Sequence, residues 1–258
     1  MLGFIGIGNM GSAILMGALK HHYLKPEEVC IYDIDQDKVN TFAMDSKTIP
    51  CTTIEELIDR CEMVMVAIKP NGIDDMILAQ RERLKHKALL SIALGYDFER
   101  YNTLLDETTR HLFIMPNTPC LVGEGMSLLE ASHSLSEDEF KFAKGLFESI
   151  GEVETLPSHL MGAGGAMSGC SPAYIYMLIE AMADGGVKHG LPRDLAYKLA
   201  SQSVVGAGKM QLKTKLHPGI LKDQVCSPGG STILGVNALE DGNFRSTVIH
   251  AISESLKK

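Results

Sequence analysis

Short apolar runs alternate with amphipathic stretches through the first part of the chain. Phe4-Ile5-Gly6-Ile7 is followed at once by glycines and then by the apolar, helix-prone stretch Ala13 to Lys20. This reads as strand, tight turn and helix. Val29-Cys30-Ile31-Tyr32 reads as the next strand, and the span from Gly11 to Val29 suffices for a crossover helix, so the two strands are expected to be parallel. Met63 to Ile68 is continuously apolar, the mark of a strand buried on both faces. Ala88 to Leu94 and His111 to Met115 repeat the pattern, with amphipathic segments at Asp74 to His86 and Phe98 to Leu105 between them. Such alternation predicts an α/β fold, a Rossmann-type doubly wound parallel sheet.

From about Ser158 the strand signals stop. Pro172 to Lys188, Pro192 to Leu216 and Asn243 to Lys258 read as helices, the last with Phe244, Val248, Ile252 and Leu256 stepping along one face. Two domains are expected, residues 1–157 and an all-helical 158–258. Gly185, Gly186, Gly206 and Gly208 would weaken isolated helices, which points to tight packing in an intertwined homodimer.

The chain has 258 residues, of which 45% are hydrophobic, 22% charged and 6% aromatic. That mix excludes collagen, coiled coil and disorder, and the length can bury a sizeable core. The formal charge is 24 − 32 = −8. With no run of Lys or Arg, neither nucleic acid nor an anionic membrane surface is an expected partner. Leu160 to Ile179 lacks charge, yet Gly162, Gly164, Gly165, Gly169 and Pro172 leave too little hydrocarbon for a membrane span. Residues 2–7 leave no basic or apolar leader ahead of the first strand. The six cysteines are scattered without C-x-x-C spacing and are expected to be reduced thiols of a cytoplasmic protein; no metal is assigned.

Candidate chemistry begins at Gly6-Ile7-Gly8-Asn9-Met10-Gly11. A glycine triplet alone fits any tight turn. Here a strand precedes it, a helix follows, and Asp33 closes the second strand, so a dinucleotide is the expected ligand. Gly6 would allow the turn, Gly8 would admit the pyrophosphate and Gly11 would let the helix approach the sheet. Asp33 suits the adenosine ribose hydroxyls and would repel a 2′-phosphate, which favours NADH over NADPH; alternatively it caps the next helix. Lys69-Pro70 and Met115-Pro116-Asn117-Thr118-Pro119 end strands, where they would border the nicotinamide, although Pro and Asn also simply favour turns. In Ser227-Pro228-Gly229-Gly230-Ser231-Thr232 the glycines end one element and Ser231 and Thr232 open a helix. This makes either a nest of N–H groups for a carboxylate or a plain helix start.

These motifs together resemble the pyrroline-5-carboxylate reductase family. The residues that carry the resemblance are Gly3-Phe4-Ile5-Gly6-Ile7-Gly8-Asn9-Met10-Gly11, Ala67-Ile68-Lys69-Pro70, Met115 to Pro119, Pro172-Ala173-Tyr174, Glu180 to Val187, and His217-Pro218-Gly219-x-Leu221-Lys222-Asp223 with Ser227-Pro228-Gly229-Gly230-x-Thr232. The last segment is the most specific. The resemblance implies reduction of L-1-pyrroline-5-carboxylate to L-proline with NADPH or NADH, the last step of proline biosynthesis. It implies that Ser227, Gly229, Gly230 and Ser231 bind substrate, with the catalytic Thr232 hydroxyl at the ring nitrogen. It also implies that Ile68, Lys69 and Ala93 line the cofactor, with Gln224 nearby; Ala67, Pro70 and Asn117, at the strand ends, are expected beside it. The family's dimers often assemble as a pentamer of dimers, and no feature of this chain decides that. The chain departs from the family pattern at Ser168-Gly169-Cys170-Ser171, in the glycine-rich flank Gly162 to Gly165, near Ser158-His159, where an acid often stands, and at Leu94, where a small residue is usual.

Three other readings remain. A paralogue acting on another cyclic imine would carry such departures. The β-hydroxyacid dehydrogenases share the opening motif but need a catalytic Lys in the following helix, and residues 161–187 contain none. A nucleotide-binding structural oligomer would need no intact Ser227 to Thr232 segment.

Overall fold

The apolar run at the start of the chain forms β1 (Leu2–Ile5), all four residues buried because a parallel sheet is covered on both faces. β1 lies parallel to both β2 (Val29–Tyr32) and β4 (Met63–Val66). With β3 (Ile49–Pro50), β5 (Ala88–Ser91), β6 (Arg110–Met115), β7 (Gly125–Glu130) and β8 (Gly151–Leu156) they build an eight-stranded sheet in the order β3-β2-β1-β4-β5-β6-β7-β8. The order reverses between β1 and β4. At such a switch point the loops leaving the strands open a crevice.

Alternate residues of the strands feed two cores. Phe4 joins Ile14 and Leu15 of α1 (Asn9–Lys20), Val39 of α2 (Gln36–Ser46) and Phe147 of α6 (Glu137–Glu148) on one face. Ile5 joins Leu57 of α3 (Ile54–Arg60), Ile77 of α4 (Ile73–Gln80) and Tyr101 of α5 (Phe98–Leu104) on the other. Cys30, Cys51 and Cys61, distant in sequence, meet in this second cluster, each wholly buried and free of disulfide.

The computed structural model describes residues 1–257, and the chain divides into two compact units, Met1–Gly169 and Cys170–Lys258. In the first unit the doubly wound sheet agrees with the sequence reading, with one correction. β7 runs antiparallel to β6, and β8 runs parallel to β7, so the sheet is mixed rather than wholly parallel. The helix α7 (Ser158–Ser168) belongs compactly to this unit, although the sequence boundary at 157/158 assigns it to the second. The reason is its apolar face: Met161 is buried with Phe113 and Leu128 of the sheet.

The second unit holds α8 (Ser171–Lys188), α9 (Arg193–Thr214), α10 (Pro218–Val225), α11 (Ser231–Asp241) and α12 (Phe244–Ser255). Three of these helices fall within two residues of the expected bounds at their starts. α8 and α9 turn through Gly190 at φ +95°, and an Arg193 to Asp184 ion pair of 2.5 Å joins them. Among the described residues of this unit only Ala183, Ala196 and Ala200 are buried. No described helix is long and apolar enough to cross a membrane.

Candidate active site

The glycine turn between β1 and α1 gives each glycine a different physical task. Gly6 has φ +96°, and a Cβ there would sit 2.7 Å from the Ala67 carbonyl oxygen. A side chain at Gly11 would overlap the Gly6 carbonyl and press on Ala67. Gly8 differs: a Cβ there would meet nothing within 4 Å. Its lack of a side chain is therefore not needed for internal packing and leaves room for a ligand to approach the backbone. Gly8 is also the N-cap of α1 with no side-chain cap, so N–H groups of the first helical turn remain free to meet an anion. These features fit a dinucleotide pyrophosphate.

Asp33, just beyond β2, reaches across to this turn. Its Oδ2 accepts from the Ile7 N–H at 2.9 Å and lies 3.6 Å from Lys38 Nζ, while Oδ1 accepts from the Asp35 N–H at 3.2 Å. Helix α2 is capped by Asp35, whose side chain accepts from Lys38 N, so Asp33 is not the cap. Gly6, Asp33, Ile34, Ile54, Ile68 and Met76 are among the residues around a largely apolar cleft of about 250 Å³. The flat sides of an adenosine suit such a cleft. Lys38, which the sequence reading does not single out, stands three residues after the capping Asp35.

Ala67, Ile68, Lys69 and Pro70 follow β4, and Ala93 follows β5, so both segments leave the sheet on the crevice side. Lys69 and Pro70 are exposed, whereas Ala93 is buried. The Ala93 N–H donates to Ser91 Oγ at 3.2 Å, and the Tyr101 hydroxyl donates to the same oxygen at 2.5 Å. Leu94 is 63% exposed on the turn that follows.

Asn117 behaves otherwise than a free ligand-binding amide. Its Nδ2 donates to the Ser168 carbonyl at 2.9 Å and its Oδ1 accepts from the Met126 N–H at 2.9 Å, so the buried side chain is engaged at both ends within the protein. It fastens the segment after β6 to β7 and to the end of α7. The glycine-rich flank has its cause here too. A Cβ on Gly165 would overlap the Met115 sulfur, and one on Gly164 would press on the Leu128 and Leu156 side chains.

In the second unit, Gly229 takes φ +69° and the Gly230 N–H donates to the Ser227 carbonyl at 3.0 Å, turning the chain into α11. Gly230 is the N-cap and supplies no side chain, so the first-turn N–H groups of Ser231 and Thr232 have no capping partner. The Ser227, Ser231 and Thr232 side chains are exposed around them. Together they present uncapped N–H groups flanked by hydroxyls, a chemistry that suits an anion. Gln224 lies exposed on α10 of the same unit.

Two buried titratable groups of the first unit stand away from these segments. Burial raises the Glu130 carboxyl and lowers the His111 imidazole, and both grip Phe98 at the start of α5. No group of three or more His, Cys, Asp or Glu among the described residues could hold a metal ion. The arrangement offers uncapped N–H groups at two helix starts, the Asp33 carboxylate and exposed hydroxyls.

Comparison with known proteins agrees with this geometry. Residues 158–258 match the family model described as pyrroline-5-carboxylate reductase dimerisation, and residues 1–95 match one described as NADP oxidoreductase, coenzyme F420-dependent. The pyrroline-5-carboxylate reductase of Treponema pallidum (strain Nichols) is 35% identical over 99% of this chain and 98% of its own. That of Escherichia coli (strain K12) is 36% identical over 100% of this chain and 96% of its own. The crystal structure of Plasmodium falciparum pyrroline carboxylate reductase with NADP bound is similar at a TM-score of 0.91 and 31% identity, covering 99% of this chain and 95% of that one. Similarity at this level along the whole length places the chain in the pyrroline-5-carboxylate reductase family.

Proposed function

We infer that the protein reduces the cyclic imine L-1-pyrroline-5-carboxylate to L-proline, the last step of proline biosynthesis, using a reduced nicotinamide dinucleotide. The observation that carries the substrate half is the uncapped start of α11, a built carboxylate acceptor in the segment most specific to the family. Ser227 and the N–H groups of Ser231 and Thr232 take the substrate carboxylate, with Gly229 and Gly230 shaping the turn. The Thr232 hydroxyl accepts from the ring N–H of the protonated imine and so favours its electrophilic form. When bound, the nicotinamide supplies a hydride to the imine carbon, which becomes the saturated carbon of the ring. The nitrogen then already carries its proton as the secondary amine, so no metal or nucleophile is called for.

The chain's other residues bind and orient. The turn Gly6 to Gly11 holds the pyrophosphate, Asp33 the adenosine ribose, and Ala67 to Pro70 with Ala93 border the nicotinamide. Asn117 acts by holding its segment in place, and Gln224, on α10, is read as a cofactor contact from the resemblance alone. Asp33 makes NADH the better cofactor, while Lys38 at 3.6 Å offsets part of its charge and leaves NADPH usable. The protein works as a homodimer built through its C-terminal helices. A unit in which three alanines are the only buried residues among those described exposes Ile175, Met177, Leu199, Leu234 and Ile249, an apolar surface that a second copy would cover.

The test is a steady-state assay of nicotinamide absorbance with pyrroline-5-carboxylate, NADH and NADPH being supplied separately. Oxidation of one or both is expected. No oxidation of either would overturn the reading, and a monomer by light scattering would overturn the assembly.

A further inference from the structure

Two short segments border the crevice after β4 and β5, and neither is held by sheet hydrogen bonds along its full length. A single side chain joins them. Tyr96 is 4% exposed, and its hydroxyl lies 2.6 Å from Asp74 Oδ1 and 3.1 Å from the Pro70 carbonyl oxygen. Arg100 Nη2 approaches that hydroxyl at 3.2 Å and the two Asp74 oxygens at 3.3 and 3.2 Å, with its guanidinium 4.0 Å from the Tyr96 ring centre. Having one proton, the hydroxyl donates to the nearer, charged acceptor, Asp74, and accepts from Arg100. Asp74 stands in the first turn of α4, just after Pro70, so the bond ties one crevice segment to the other.

The local backbone explains why Tyr96 controls its own segment. The Tyr96 N–H donates to the Ala93 carbonyl at 3.2 Å, and Gly95 takes φ +84°, so residues 93–96 form a tight turn. That turn exposes Leu94 and drives Tyr96 inward. Ala93 at its start is fixed through Ser91, and Tyr96 at its end is fixed through Asp74. Pro70, Leu94 and Tyr96 then line a cleft of about 470 Å³ with Asp74 and Arg100.

We propose that Tyr96 is a positioning residue for hydride transfer: through Asp74 it holds the turn Ala93 to Tyr96 at a fixed spacing from Ile68 to Pro70, the two walls of the nicotinamide site. The proposal rests on the assignment of those walls to the cofactor given above. Tyr96 touches no reacting atom and acts only through the two segments. The dinucleotide is anchored by its phosphates and ribose at the glycine turn and Asp33, so loosening the walls costs little affinity. It costs rate, because a displacement of about 1 Å between hydride donor and acceptor can slow transfer by about a hundredfold.

Tyr96→Phe keeps the ring and its burial and removes the hydroxyl. We expect its kcat to fall by about ten- to a hundredfold, while the Kd for NADH, read by fluorescence titration, changes by less than about twofold. Asp74→Ala, at the half-buried end of the bond, should lose as much; Asp74→Asn keeps an acceptor oxygen and should recover most of the rate. The double variant Tyr96→Phe/Asp74→Ala should be no slower than either single one. A Tyr96→Phe enzyme with kcat within about twofold of wild type, an equal loss of cofactor affinity, or additive losses in the double variant would each overturn the proposal. Wild-type turnover is the reference that separates the two readings. Its absence removes the proposed function, and its presence with an unaffected Tyr96→Phe removes only the role of Tyr96.

Discussion

Asp33 and Ile7 are joined across the crevice edge by a hydrogen bond of 2.9 Å from the Ile7 N–H to Asp33 Oδ2. One carboxylate therefore shapes the glycine turn and, in the proposed function, also presents charge to the ribose. The two tasks are separable by substitution. Asp33→Asn keeps an oxygen for Ile7 and removes the charge, so the ratio of kcat/KM for NADPH to that for NADH should rise by about tenfold. Asp33→Ala also abandons the buried Ile7 N–H and should lower folding stability by about 1–2 kcal/mol. Steady-state kinetics with both cofactors and urea unfolding check the pair. An unchanged ratio in Asp33→Asn would remove Asp33 from cofactor selection.

Helix α7 lies on the sheet because two of its residues lack side chains. Gly165 admits the Met115 sulfur into space a Cβ would fill, and Gly164 admits Leu128 and Leu156. Gly165→Ala should destabilise the first unit by about 1–3 kcal/mol, the cost of overpacking a filled interior. Gly72→Ala in the same unit provides the contrast, since a Cβ there meets only Ile68 Cδ1, at an ordinary 3.8 Å. It should change stability by less than about 1 kcal/mol. Thermal unfolding of the two variants reads the difference, and equal effects would show that α7 packing does not depend on Gly165.

These glycines also show what the chain makes legible. Continuous apolar runs announced β1, β4 and β5, because strands covered on both faces carry little else. β7 and β8 escaped. Ser127 and Glu130 are buried polar residues within β7, and β8 alternates Glu152 and Glu154 with Val153 as an outer strand does. Neither gives an apolar run, so the antiparallel step from β6 to β7 had no signal. The glycine turn was legible in its backbone: Gly6 and Gly11 stand where a Cβ would meet the Ala67 and Gly6 carbonyls, as a tight strand-to-helix turn requires. Asn117 was legible as important but not as spent internally, because its partners Ser168 and Met126 lie on other elements. The convergence of Cys30, Cys51 and Cys61 was likewise a property of the sheet and not of cysteine spacing.

Acid sensitivity should centre on Glu139 and Arg110. Arg110 donates to both Glu139 oxygens at 2.7 to 3.0 Å, and the Ser136 N–H adds a bond of 2.9 Å at the start of α6. The guanidinium, and then the backbone bond, hold the carboxyl down at about 2, from 4.5. Because the folded value is depressed, the stabilisation is present above 4.5 and is lost as pH falls from there through about 2. Glu139→Gln should therefore be less stable than wild type at neutral pH by about 1–3 kcal/mol, and the gap should close toward the acid end of that window. Urea unfolding across the window tests it. A gap that does not change with pH would mean the pair acts by shape and not by charge.

Thr232 stands at the second position of α11, after a glycine N-cap, so its hydroxyl is not where a capping side chain would be. If it served the helix alone, its removal would cost a little stability and change binding and turnover together. Its proposed place beside the ring nitrogen makes a different demand. Thr232→Ala keeps the backbone N–H groups that would donate to the carboxylate, and removes only the hydroxyl proposed to favour the protonated imine. Its kcat should fall by about a hundredfold, the usual scale for losing one such contact in a transition state. The Kd for NADH should stay as in wild type, and Thr232→Ser should restore most of the rate. Stopped-flow turnover with saturating cofactor separates these steps, and a Thr232→Ser variant as slow as Thr232→Ala would assign the effect to the lost methyl packing rather than to the hydroxyl.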